Sequence, residues 1–339
     1  HSWRLGLCAQ PQVVWSYWED TDYTRLTRII PLPSGDLALL AEPAALLKLA
    51  GGRLSAWESV LTPPPPGGGD VISFTALWRE TAPGITLPVT PVITDSCYYD
   101  GKVLMAAGSY LVAKDLDTDD LSLCLSLPGV EIDAVAAGEA GGAYVATWDG
   151  SAAALYNFTW ASTRKLCDLA ARAACLLPLT VGTCAIGGQD GKVYLYSGGE
   201  VAVTYDTGEA CVNRLIPDAN LTWALTGNTG KLYRSRPAWQ LDNTFATSSL
   251  RGAAVLGDDM YLVGNDNCVW RYSAEAWADW MDLEGVTALW DAYSDGSALY
   301  LAAEHTNGAR LYRLEIAEPG GFTCSSEPPD LILAALRHT

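Results

Sequence analysis

Along most of its length the chain alternates apolar runs of five to seven residues with short polar clusters rich in Gly, Asn and Asp. Runs of that length, built from Val, Leu, Tyr and Trp and bounded by turn formers, predict β-strands. No segment sustains the 3.6-residue period of an amphipathic helix. A pair of such strands recurs, the first ending in a small residue and the second centred on an aromatic. It is seen in "LALLAEPAALLKLAGG", "VLMAAGSYLVAKDL", "YVATWDGSAAALYNF", "CAIGGQDGKVYLYS", "WALTGNTGKLYRS", "YLVGNDNCVWRYS" and "LYLAAEHTNGARLYRL". The matched positions in the second strand are Leu47, Val112, Tyr156, Tyr194, Tyr233, Trp270 and Tyr312, spaced by 37 to 44 residues after a first gap of 65.

A period near 40 accommodates four short strands and their turns, the unit of a propeller blade. Each pair has a further apolar run before it, such as "ACVNRLIPD", and another after it, such as "EVAVTYD". The expected fold is therefore all-β: a seven-bladed β-propeller of four-stranded antiparallel blades occupying residues 1–317. The last unit supplies three strands and then passes into "AEPGGFTCSSEPPD", a loop composition. The start of the chain carries the missing piece. "VVWSYWED" matches "EAWADWMD" at an offset of 262, pairing Trp15 with Trp277, Trp18 with Trp280 and Asp20 with Asp282, and the same offset pairs Ala41-Glu42 with Ala303-Glu304. Residues 12–20 are thus expected to complete the C-terminal blade and remove its open edge.

The arrangement resembles the seven-bladed propellers of the WD-repeat and quinoprotein-like type over roughly Gln12 to Ile316, and "GGQDGKVYLYSGG" reads like a WD-repeat hairpin. No unit opens on Gly-His or closes on Trp-Asp, so the resemblance is one of architecture. Two regions stand outside the ring: an insertion at 62–91 that begins with the Pro/Gly linker "TPPPPGGGD" and carries Phe74 and Trp78, and a tail at 318–339 containing Leu331, Ile332 and Leu333. Apolar segments without a place in a closed ring call for another surface, which favours protein partners, a homo-oligomer or a multi-subunit assembly.

Composition narrows the function classes. With 39 Asp and Glu against 21 Lys and Arg, the net charge of −18 opposes nucleic acid and anionic membrane surfaces. The longest uncharged run, Ala173 to Gln189, is broken by Pro178 and Gly182, so no membrane insertion is expected. The first residue is His1, as in a processed chain. Nine cysteines without a C-x-x-C pair read either as buried thiols or as extracellular disulfides, with Cys8 and Cys324 the pair flanking the closing blade. The sequons at Asn157 and Asn220 fit the extracellular or particle-associated alternative.

Enzyme motifs are absent: there is no G-x-S-x-G, H-E-x-x-H or phosphate loop, and only three histidines. The best constellation is the set of turns between second and third strands, which contribute Glu42, Ser109, Asp149, Asp190, Asn228, Asp266 and Glu304 or His305. Such a ring at the channel mouth could hold a divalent cation or sugar hydroxyls, although Asp and Asn also populate tight turns for backbone reasons. "KDLDTDD", Lys114 to Asp120, has alternating carboxylates but neither the Gly nor the distant Glu of a calcium loop. Trp148, Trp160 and Trp239 lie at turns where an aromatic patch would mark a binding surface. The reading favoured by these observations is a non-catalytic propeller without a cofactor, serving as a rigid protein-interaction subunit. The alternatives are a secreted propeller hydrolase or lyase, or a carbohydrate-binding lectin, with its site at the channel mouth.

Overall fold

The computed structural model describes residues 12–42, 45–59, 93–138, 142–218 and 221–317. Phe74, Trp78, Leu331, Ile332, Leu333, Cys8, Cys324 and the sequon at Asn220 fall outside the described residues. Among those described there are 28 strands and no helix, and every strand pairing is antiparallel between neighbours. Five sheets contain four strands each, and one contains eight. The two halves of the eight-stranded sheet meet through a single residue pair, Arg25 with Glu304. Divided there, the strands form seven blades of four: 25–59, 93–126, 131–169, 173–206, 211–244, 250–282, and 286–317 completed by Gln12–Asp20.

The core is distributed in the same way. Seven hydrophobic clusters lie one between each adjacent pair of blades, including one between blade 7 and blade 1. This explains why the second strands read as unbroken apolar runs. In blade 2, Val103 and Met105 pack towards blade 1 while Leu104 and Ala106 pack towards blade 3. Successive side chains point to opposite faces of a strand, and here both faces are buried.

Gln12–Asp20 runs antiparallel to Gly308–Ala317 in nine consecutive pairs, from Gln12 with Ala317 to Asp20 with Ala309. Its counterpart Ala276–Asp282 is the fourth strand of blade 6, so the 262-residue repeat relates fourth strands of neighbouring blades. Trp18 faces blade 1 and donates its indole N–H to the Gly52 carbonyl at 2.8 Å. The other six blades each carry a bulge between third and fourth strands, beside Leu47, Val112, Tyr156, Tyr194, Tyr233 and Trp270. Those are the positions aligned from the sequence. The repeat therefore records a local geometry, in which an extra residue sharpens the twist of the outer strand.

Candidate functional site

The first strand of each blade faces the central channel and neighbours the first strands on either side. Every one of these seven strands is bulged against its second strand near its start. The extra residues include Thr27, Thr94, Asp133, Ala174, Asn213 and Arg251, and in blade 7, which is bulged at Thr287 and again at Trp290, the second of the two; these seven line one cavity of about 530 Å³. A bulge breaks the two-residue alternation and re-aims a side chain; repeated around the ring it delivers one side chain per blade into the channel.

The residues that follow the bulges form a deeper, buried ionic layer. Arg28 reaches Asp95 at 2.9 Å across the blade 1–blade 2 boundary. Asp95 also accepts from the Val135 amide of blade 3 at 3.0 Å. Asp291 of blade 7 accepts from the Ile29 amide of blade 1 at 3.0 Å and from Arg214 of blade 5 at 3.2 Å. Burial pushes the Asp291 carboxyl up to about 6, against the pull of Arg28. Burial likewise raises Asp95, again opposed by Arg28. Three of these bonds join neighbouring blades, and the one from Arg214 to Asp291 joins blades 5 and 7, which are not neighbours.

At the channel wall Arg172 pairs with Asp133 at 2.6 Å and also with Glu131. Arg25 pairs with Glu42 at 2.5 Å and with Glu304 at 3.4 Å. The sites sought in the sequence lie apart from this layer. The Asp149 carboxylate accepts from the backbone of Ala152 and Ser151, and those bonds hold it below the usual carboxylate range. Burial pushes Asp190 up, but bonds from Tyr194 and Lys192 outweigh it, and it too is lowered. Asp266 accepts from the Cys268 amide and is raised by burial. Asn228 occupies the left-handed region with φ 71°. His305 Nδ1 accepts from the Asn307 amide, and burial followed by Arg310 lowers its pKa. Of this set only Glu42 borders the channel cavity, and none of these hydrogen bonds joins two of its members. No group of three His, Cys, Asp or Glu side chains among the described residues is arranged to hold a metal ion.

In "KDLDTDD", Lys114 is buried and pairs with Asp119 at 3.1 Å, while Asp115 accepts from the Asp117 and Thr118 amides. Trp148 is half-buried against the blade 3–blade 4 core, Trp160 stacks on Tyr99 at 5.4 Å, and Trp239 stacks on Tyr205 at 5.5 Å. All seven described cysteines are free thiols, and burial raises those at 97, 175 and 184 strongly.

A second concavity, about 660 Å³, lies between blades 6 and 7. Trp15 and Tyr17 line it on the closing strand, 52% and 45% exposed with their rings stacked 6.1 Å apart. Met281, Glu284, His305 and Arg310 complete the wall, with the Arg310 guanidinium 4.3 Å from the Tyr17 ring centre. Sequence reasoning placed Trp15 in the closing strand without foreseeing its exposure. Apart from Glu42 it named none of the residues lining the channel, although a polar residue interrupting an apolar first strand, as in "LTR", "ITD", "VNR" and "LRG", was there to be read.

No protein-family model matches the chain, and no curated protein does. Solved structures do match in fold. A catalytically inactive virginiamycin B lyase from Staphylococcus aureus with quinupristin superposes with a TM-score of 0.67 at 10% identity, covering 90% of this chain and 99% of that one. The WD40 propeller domain of Doa1 gives 0.64 at 13% identity, covering 90% and 96%. YCF48 bound to D1 peptide gives 0.64 at 11% identity, covering 92% and 99%. Identities this low carry the architecture and nothing finer, and with the ring of sheets they establish the chain as a β-propeller.

Proposed function

We propose that this propeller is a non-catalytic docking module, a rigid subunit that holds a protein segment in the groove between blades 6 and 7. The observation that carries the reading is the composition of that groove: the exposed rings of Trp15 and Tyr17, with the half-buried Met281 and Arg310 in the wall beside them. Trp, Tyr and Arg dominate the energetics of protein interfaces, and Met is enriched there. The two aromatics sit on an outermost strand whose far edge is unpaired among the described residues, which an extended segment can extend as a further strand. A propeller of similar shape, YCF48, has been seen with a peptide bound. A rigid ring presents such a groove without an ordering cost, which favours affinity.

The test replaces Tyr17 with the photo-reactive benzoylphenylalanine in the producing cells, with Val203, 54% exposed on blade 4, as the control position. A discrete protein adduct at position 17 and none at 203 is expected, and Trp15→Ala with Tyr17→Ala should weaken that complex by about 30-fold or more, the effect of losing a hot spot. Equal labelling at both positions, no adduct at 17, or cross-linking only to residues 318–339 of the same chain would overturn the reading.

A further inference from the structure

One arginine of the channel lacks a carboxylate partner among the described residues. Four of its arginines have carboxylate partners: Arg25 with Glu42 and Glu304, Arg28 with Asp95, Arg172 with Glu131 and Asp133, and Arg214 with Asp291. Arg251, the bulge residue of blade 6, forms no ion pair among the described residues. Its Nε donates to the neutral Asn265 side-chain oxygen at 2.9 Å, and its guanidinium lies 4.4 Å from the centre of the Trp290 ring. Arg25 stacks on the same ring at 4.2 Å. The Nε of Arg25 and the indole Nε1 of Trp290 are both buried without an acceptor. One corner thus gathers two guanidiniums and an indole whose donors outnumber their acceptors, and buried donors are normally satisfied. Burial, with Arg25 adding to it, depresses the Arg251 pKa, as expected of a cation lacking its counter-charge.

We propose that the channel binds a small organic monocarboxylate, with Arg251 as its anchoring residue. The two coplanar oxygens of a carboxylate match the guanidinium fork. A dianion would add a second charge to a cavity already lined by Glu42, Asp95 and Asp133. The cavity of about 530 Å³ admits an acid of modest size. This site is separate from the groove on the closing blade, so either assignment stands without the other.

Calorimetric titration of the full chain with sodium acetate and sodium benzoate, at matched ionic strength, tests the assignment. Saturable binding at one site per chain by at least one of them is expected, at least tenfold weaker in Arg251→Gln. Ligand-free Arg251→Gln is expected to melt at a higher temperature than the parent, since a desolvated charge without a partner has been removed. Should that variant fail to fold, Arg251→Lys keeps the charge and loses the fork, and at least threefold weaker binding is expected. The proposal is overturned by the absence of saturable binding for both acids, by unchanged affinity in the variants, or by sodium phosphate binding more tightly than either carboxylate.

Discussion

Removing residues 1–20 is expected to lower the stability of the ring by about 5 kcal/mol or more and to make the chain prone to aggregation. The strand lost pairs with Gly308–Ala317 along its whole described length. Its departure strips cover from Leu311, Tyr312 and Leu314, each no more than 2% exposed in the closed ring. Fully burying a side chain of that size contributes about 1.5–3 kcal/mol. The indole bond from Trp18 to blade 1 goes with it. A loss of this size is a large part of the roughly 5–15 kcal/mol typical of a folded domain, and the uncovered edge invites pairing with other chains. Chemical denaturation and size-exclusion chromatography of the truncated chain check this, with a synthetic peptide of residues 12–20 expected to restore part of the loss. A truncated chain as stable as the parent would mean that the strand decorates the blade without completing it.

Asp291 is the other position where one change should be felt throughout the ring. Asp291→Ala leaves Arg214 and the Ile29 amide without their acceptor in a buried site, and removing one partner of a buried ion pair costs about 3–5 kcal/mol. The same carboxyl also gives stability a pH dependence with a definite sign. Its folded pKa of about 6 lies above the ordinary 3.8, so the native state holds the proton more tightly than the unfolded chain. Its stabilising contribution is full below about pH 4 and is lost as pH rises through about 6, by roughly 3 kcal/mol at about 1.4 kcal/mol for each pH unit separating the two values. Asp95, Asp133 and Asp266 are raised by burial and act in the same direction. His305 is lowered and acts oppositely, its contribution being present above its ordinary 6.5 and lost on acidification. Comparing Asp291→Asn with the parent separates these contributions. Between pH 7 and pH 5 the parent should gain about 1.3 kcal/mol more in urea unfolding than the variant, and identical pH profiles would contradict the assignment.

The architecture was legible because each blade buries both faces of its second strand, leaving runs such as "VLMAA" and "YLVG" that recur at a fixed spacing. Closure was legible because Trp18 and Trp280 occupy equivalent fourth strands and left matching spacings at distant positions. The channel was not, because bulges decide what points inward, and a bulge is a pairing relation between two strands that neither strand announces alone. Thr27, Asn213 and Arg251 each break an apolar first strand in the sequence, and they are the lining. The turn carboxylates at Asp149 and Asp190 drew notice as ligands, yet their oxygens accept from neighbouring turn and strand groups. That is the backbone role for which Asp is selected in turns.

The closed ring rests on the alignment of the first described strand with the last, and a pair of introduced cysteines reads that alignment directly. Ser16 and Arg313 are opposed across the two strands, whereas Ser16 and Glu315 are two residues out of register. Oxidation of the Ser16→Cys, Arg313→Cys chain followed by peptide mass spectrometry should give a disulfide joining the two strands, and the Ser16→Cys, Glu315→Cys chain should give none. Linkage in the second chain, or a disulfide in the first that joins the thiol introduced in place of Ser16 to any cysteine other than its intended partner, would contradict the closure and the blade assignment built on it.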